Sequence, residues 1–214
     1  MRTVEPAQDK LYVQYGCGHC APAGWVNFDA SPTLRLERLP LVGRMLNKNA
    51  ERFPANVRYG DVVRGLPIAR ESCQGIYCSH VLEHLAYEDC LLALRNTFSY
   101  LKPGGTFRLV VPDLQQLVQA YVTSPGEAPG DWFMEVSDLG RVRRPRGLRA
   151  FVVAWLGNSA HLWMWDEKSM TAALRCAGFE HIRRASFGDA EDGWFSRVED
   201  PVRFEGCLAI QCRK

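Results

Sequence analysis

Residues 15–29 read YGCGHCAPAGWVNFD, Tyr15 to Asp29. Three chemistries share this spelling. Cys17-Gly18-His19-Cys20 has the form of a dithiol redox centre. The same two cysteines are half of a zinc knuckle. Gly16 and Gly18 form a glycine turn that follows the apolar run LYVQY, 11–15, and Asp29 closes the next run, WVNF, 25–28. A dithiol centre needs its first thiol at a helix N-terminus, where the dipole lowers the thiol pKa. Here the chain continues Ala-Pro-Ala-Gly-Trp into a strand, with no room for a helix. A structural zinc needs a second ligand pair. Cys73 and Cys78 are five apart and straddle the predicted strand GIYC, 75–78.

The third reading follows from position. Glycines at the carboxyl end of a first strand let backbone approach a ligand closely. An acid ending the second strand can accept both hydroxyls of a ribose. Asp29 follows Gly18 by eleven residues, and a third glycine is missing, so the stretch departs from a dinucleotide fingerprint. Only residues 17–24 join the two strands, whereas parallel neighbours usually need a crossover of a dozen or more. The first crossover helix is therefore missing or cut to a turn. No full helix N-terminus remains to hold a pyrophosphate. The ligand this leaves has a ribose and no phosphate, as S-adenosylmethionine does.

The rest of the chain alternates in the same manner. A helix is predicted over 33–47, though Pro40 should break it. NVRYGDVV, 56–63, reads as a third strand and its exit. After GIYC, the run SHVLEHLAYEDCLLALRNTFSYLKPGG carries Leu91, Leu94, Phe98 and Leu101 at helical spacing and stops at Lys102-Pro103-Gly104-Gly105. FRLVVPDL, 107–114, is a strand and its turn, 114–122 a further helix, and 165–179 a helix closed by Gly178. HIRRASF and CLAIQC can pair antiparallel. Strands alternating with helices, then a closing hairpin, give an α/β sandwich on a mostly parallel sheet.

Composition narrows the class. The 214 residues suit one domain, and a net charge of +2 gives no reason to expect a nucleic-acid partner. No stretch reaches the ~20 apolar residues of a membrane span. The first ten residues have no apolar centre, so no export signal is read there. The eight cysteines are scattered, mostly within apolar runs. Buried free thiols and a cytoplasmic location are expected.

Taken in order, YGCG, GWVNFD, GIYCSHVLEHL, LRNTFSYLKPGGTFRLVVPDL and HLWMWDEKSMTAALRCAGF resemble class I S-adenosylmethionine-dependent methyltransferases, of the methyltransferase type 11-like bacterial group. The resemblance covers residues 11–112 and, more loosely, 161–212. It implies a Rossmann-like seven-stranded sheet in the order 3-2-1-4-5-7-6 with the seventh strand antiparallel, and S-adenosylmethionine as cofactor. It places Tyr15, Gly16, Cys17 and Gly18 against the methionine part of that cofactor. It gives Asp29 the ribose, Asp61 the adenine amino group with Val62 as apolar neighbour, and Ser79 and His80 a place near the sulfur. Each role has a plainer alternative. Asp61, beside Gly60, would serve equally as a turn acid, and His80 and His84 as ordinary helix residues.

The expected activity is methyl transfer to a small-molecule or glycan acceptor, at oxygen or nitrogen. The alternative is a non-catalytic binding or scaffold protein on a degenerate methyltransferase fold. An acceptor hydroxyl would have to lose its proton, and His80, then His161, are the candidate bases. Residues 123–165 read as an inserted cover within a single domain, 1–214. They hold Arg141, Arg143, Arg144, Arg146 and Arg149, followed by Phe151, Trp155, Trp163 and Trp165. Arginine forks match phosphate or carboxylate, and tryptophan faces match sugars or other rings. A sugar or a lipid-linked saccharide fits, with contact at a membrane surface open to the same basic-then-apolar segment. His80-Val81-Leu82-Glu83-His84 spells the inverted zinc-protease motif H-x-x-E-H, but no bound metal is expected.

Overall fold

Seven runs of three to twelve residues become strands of one sheet, and the central ones bury side chains on both of its faces. They are β1 (Leu11–Tyr15), β2 (Trp25–Asp29), β3 (Val57–Tyr59), β4 (Cys73–Ser79), β5 (Leu101–Pro112), β6 (Glu180–Arg184) and β7 (Cys207–Arg213). This computed structural model describes residues 10–39, 52–140 and 160–214. The strands form one sheet in the order β3-β2-β1-β4-β5-β7-β6. β7 runs antiparallel to β5 and β6, and the other pairs are parallel. The expected order and the expected antiparallel strand are both present.

Five helices are described: α1 (Pro32–Glu37), α2 (Tyr87–Tyr100), α3 (Leu114–Thr123), α4 (Pro129–Val136) and α5 (Glu167–Ala177). α1 starts at Ser31, whose hydroxyl accepts the Thr33 amide, and it ends at Glu37. The helix predicted over 33–47 is thus shorter in its described part, and positions 40–47 lie outside the described residues. α5 has a reciprocal cap at its start. Asp166 accepts the Ser169 amide at 2.7 Å, and Ser169 Oγ in turn accepts the Asp166 amide at 3.2 Å. Gly178 ends it with φ +103°, the left-handed conformation that glycine tolerates best. β5 begins six residues before the predicted 107. Its register to β4 jumps between Cys73↔Leu101 and Gly75↔Thr106, so Lys102–Gly105 bulge out of the ladder.

The two faces of the sheet are covered differently. Val13, Ile76, Phe107, Leu109 and Ile210 point to one face. There they pack with Ala93 and Leu94 of α2 and with Met170 and Leu174 of α5. Tyr12, Trp25, Tyr77, Val110 and Ala209 point to the other, where they meet Phe195 and Val198 of a 3-10 turn, Gly193–Arg197, and its exit. That turn lies where the chain supplies no crossover helix. Residues 16–24 join β1 to β2 without one, as expected. Tyr12 stacks on Trp194 at 5.2 Å between ring centroids, and its hydroxyl donates to Asp192 at 2.5 Å. Phe195 meets Trp25 edge-on at 5.6 Å.

Loops covering a sheet leave backbone groups that need partners, and this face carries buried polar side chains to supply them. Gln14 Nε2 donates to the Cys20 carbonyl and to Asn27 Oδ1, both at 2.6 Å. Arg108 of β5 is 1% exposed. It donates to Glu199 (2.7 Å), Asp189 (2.9 Å), Gln211 (2.7 Å) and the Ser186 carbonyl (3.1 Å). One guanidinium therefore ties the 185–199 loop to the centre of the sheet.

Candidate functional site

A cavity of about 810 Å³ opens at the carboxyl edge of the parallel strands, within the ~300–1,000 Å³ usual for small-molecule sites. Its lining begins where each of four strands ends: Tyr15 and Gly16 after β1, Asp29 to Thr33 after β2, Gly60 to Arg64 after β3, and His80 and Val81 after β4. β1 lies between β2 and β4, so the chain's winding direction reverses there. Open α/β sheets bind ligands at such a point.

Gly16 has φ +66°, and a Cβ on it would stand 2.0 Å from Val81 Cγ2. Only glycine lets the β1 exit pass under Val81. Asp29 is 8% exposed. Its Oδ2 accepts the Gly18 amide at 2.9 Å and its Oδ1 the Ser31 amide at 2.7 Å. These bonds fix the carboxylate, and each oxygen keeps lone-pair capacity for a ligand hydroxyl. Asp61 accepts the Val63 and Arg64 amides at 2.9 and 3.4 Å and pairs with Arg64 Nε at 3.4 Å. It is a turn acid and also lines the cavity, so the two readings of it are compatible. Val62 beside it is buried.

Of the residues named from sequence, Tyr15, Gly16, Asp29, Asp61, Val62 and His80 line the cavity. Cys17, Gly18 and Ser79 do not. Cys17 packs with Leu34 and Val57, Gly18 acts through its amide on Asp29, and the Ser79 hydroxyl is buried without a hydrogen-bond partner. Burial, with the Asp29 charge adding to it, pushes the Cys17 thiol up to about 12. Burial also raises Cys20. Neither thiol is poised to ionise, which removes the basis of a dithiol centre. All eight cysteines are free, and Cys20 and Cys176 are exposed rather than buried.

His80 stands at the end of β4 with φ +54°, an uncommon conformation for a residue with a side chain. Its Nε2 is 3.1 Å from the Arg203 carbonyl and 3.8 Å from Cys207 Sγ. Its Nδ1 is 3.1 Å from Glu83 Oε1, an ion-pair distance without hydrogen-bond alignment. Contact with Cys207, then with Glu83, outweighs burial and raises the imidazole to about 10. This favours the imidazolium, a form with no lone pair with which to act as a base.

His161 does not line the cavity, but its ring centroid lies 4.9 Å from that of His84, which does. Its Nδ1 is 2.7 Å from the Ser137 carbonyl. Trp163 is 4.7 Å and Trp165 5.9 Å from the Tyr87 ring, centroid to centroid. Arg141, Arg143, Arg144, Arg146, Arg149, Phe151 and Trp155 lie outside the described residues. Sequence reasoning passed over Ser31, Val81 and His84 as cavity residues. Ser31, directly before Pro32, carried a readable helix-start signal. No helix among the described residues is long and apolar enough to cross a membrane.

Residues 15–183 match a family described as a methyltransferase domain. No curated protein matches at a significant level. Among solved structures, an S-adenosylmethionine-dependent methyltransferase from Thermotoga maritima has a TM-score of 0.53 at 16% identity, covering 99% of this chain and 84% of that one. One from Mesorhizobium loti has a TM-score of 0.50 at 19% identity, covering 96% and 91%. A chain from the Haloferax volcanii complex of a methyltransferase with its Trm112 activator has a TM-score of 0.50 at 16% identity, covering 96% and 82%. The cofactor that goes with this family and fold is S-adenosylmethionine. The match spans well over half of the chain and includes the glycine turn, the Asp29 acid and the β2 to β4 strands at the cavity, so the chain belongs to the methyltransferase-domain family.

Proposed function

We propose that the chain transfers a methyl group from S-adenosylmethionine to a small-molecule or glycan acceptor, at oxygen or nitrogen. The observation that carries this reading is the cavity formed where β1 to β4 end, with Asp29 fixed by two amides at its wall. The residues fit the cofactor. Gly16 gives the close backbone approach that the methionine part needs, because any side chain there would fill the space held by Val81. Asp29 offers its remaining lone pairs to the ribose hydroxyls. Asp61 and Val62, one polar and one apolar, suit the edge and face of an adenine.

When bound, the cofactor supplies a methyl group already activated by its sulfonium charge. The chain's own task is then to orient two groups and to keep water away, and orientation alone can contribute about 7–11 kcal/mol. His80, protonated, gives the β4 end a fixed positive charge braced by the Arg203 carbonyl and Glu83. An amine acceptor that arrives uncharged needs no base, which favours nitrogen or an acidic hydroxyl over an ordinary alcohol. The inserted segment 123–165 would border the acceptor side, with His161 and Trp163 on its described part.

The test is thermal unfolding and calorimetry with S-adenosylmethionine and its demethylated product. At 100 times Kd the ligand should stabilise the fold by about 2.7 kcal/mol. Asp29→Asn should weaken binding by about 1.5–3 kcal/mol, the usual worth of a hydrogen bond to a charged group. No shift at millimolar ligand rejects the reading. Binding without methyl transfer to any fraction of a cell extract favours the non-catalytic alternative.

A further inference from the structure

The sequence motif H-x-x-E-H pairs His80 with His84 on a helix face. The structure separates them. His80 turns toward Arg203 and Cys207 from a left-handed backbone position, and the following residues form a 3-10 turn, Leu82–His84. Glu83 and His84 instead meet His161, brought from 77 positions along the chain. The amides of Leu162 and Trp163 both donate to the Glu83 carbonyl, at 2.7 and 3.2 Å, and these bonds deliver His161 to the place. One ligand atom from each of Glu83, His84 and His161 lies within 4.8 Å of the other two. A single point therefore lies within about 2.8 Å of all three, against the ~2.0–2.2 Å of imidazole and carboxylate bonds to a cation.

Two further features point to a ligand there. Glu83 is 0% exposed, yet neither of its carboxylate oxygens has a hydrogen-bond partner. The charge of His80 lies 3.1 Å from Oε1, yet the carboxylate stays buried with no aligned hydrogen bond to either oxygen, a condition that costs free energy unless its lone pairs are taken up. His80 covers one side at 3.1 Å without alignment, which leaves the remaining lone pairs unused. Both imidazoles are also oriented as metal ligands are. His84 Nδ1 is 3.2 Å from the Ala160 carbonyl and His161 Nδ1 is 2.7 Å from the Ser137 carbonyl. A carbonyl only accepts, so each Nδ1 carries the proton and each Nε2 keeps its lone pair; the His161 Nε2 also stands 4.0 Å from Asp138 Oδ2. Backbone bonds of this kind fix the tautomer of metal-binding histidines.

We propose that Glu83, His84 and His161 bind one divalent transition-metal cation. Two imidazoles and one carboxylate suit zinc, or iron, cobalt or manganese, with coordination positions left open. His84 also lines the cavity, so an open position there can take an oxygen or nitrogen of the methyl acceptor. That role rests on the methyltransferase reading; the site itself does not. In the metal-loaded protein His161 is a ligand and not a base. This proposal departs from the expectation of no metal drawn from the sequence.

The test uses the full chain stripped with a chelator and then titrated with zinc, and separately with cobalt as a spectroscopic probe, without cofactor or acceptor. One cation per chain is expected, with a cobalt spectrum typical of nitrogen and oxygen ligands. His84→Ala and His161→Ala should each lower affinity at least a hundredfold, and Glu83→Gln at least tenfold. Circular dichroism of each variant checks that it is folded. Cys207→Ser and Cys20→Ser should bind as tightly as the parent. The proposal is overturned if the parent takes up no stoichiometric metal at micromolar concentration, or if binding is lost in a cysteine variant and kept in both histidine variants. Failure of the cofactor thermal shift with metal uptake intact would reject the methyltransferase reading alone.

Discussion

At the scale of single residues, Gly16 is the position where backbone geometry and ligand space meet. Alanine there should act in two separable ways. The left-handed φ costs an L-residue about 1–2 kcal/mol, and the new methyl must displace Val81, whose Cγ2 would be 2.0 Å away. Gly16→Ala should lower both unfolding stability and cofactor affinity. Adding Val81→Ala should recover affinity while leaving about 1–2 kcal/mol of the stability loss, because it removes the collision and not the backbone term. Denaturant unfolding and calorimetry on the two variants separate these effects. The places of Gly16 and Asp29 at the cavity wall were readable from sequence because they follow from positions next to a strand end. The raised pKa of His80 was not, because its first cause is Cys207, 127 residues away, and only then the local Glu83.

At the scale of elements, most strands were legible as short runs between turn residues, the central ones apolar. The start of β5 was not, since Lys-Pro-Gly-Gly reads as a helix stop and gives no sign that the bulge continues into the ladder. Arg108 was equally hidden. An arginine in the middle of FRLVV looks like a strand residue facing water, and here it is buried among Glu199, Asp189 and Gln211. Removing one member of such a set strands the others. Arg108→Met should cost about 3–5 kcal/mol, because the Glu199 carboxylate stays buried without its partner. Adding Glu199→Gln should restore part of that, and a double-mutant cycle from urea unfolding should show strong non-additivity.

At the scale of the whole molecule, the sheet has one face closed by helices and one closed by loops and aromatic rings. Phe195 is the buried centre of the second face, so Phe195→Ala should cost about 3–5 kcal/mol. Native-state hydrogen exchange should show the loss first in β1 and β2, far from the substitution in sequence. The missing crossover helix has a further consequence, for the newborn chain. A chain with a helix between its first two strands can shelter them within moments of their appearance. In this one, the loop that covers Tyr12 begins at Asp192, 180 positions downstream. At a synthesis rate of roughly 5–20 residues per second, Tyr12 and Trp25 stand uncovered on the ribosome for roughly 10–35 s. That interval is long enough for chaperones, proteases and neighbouring nascent chains to compete for them.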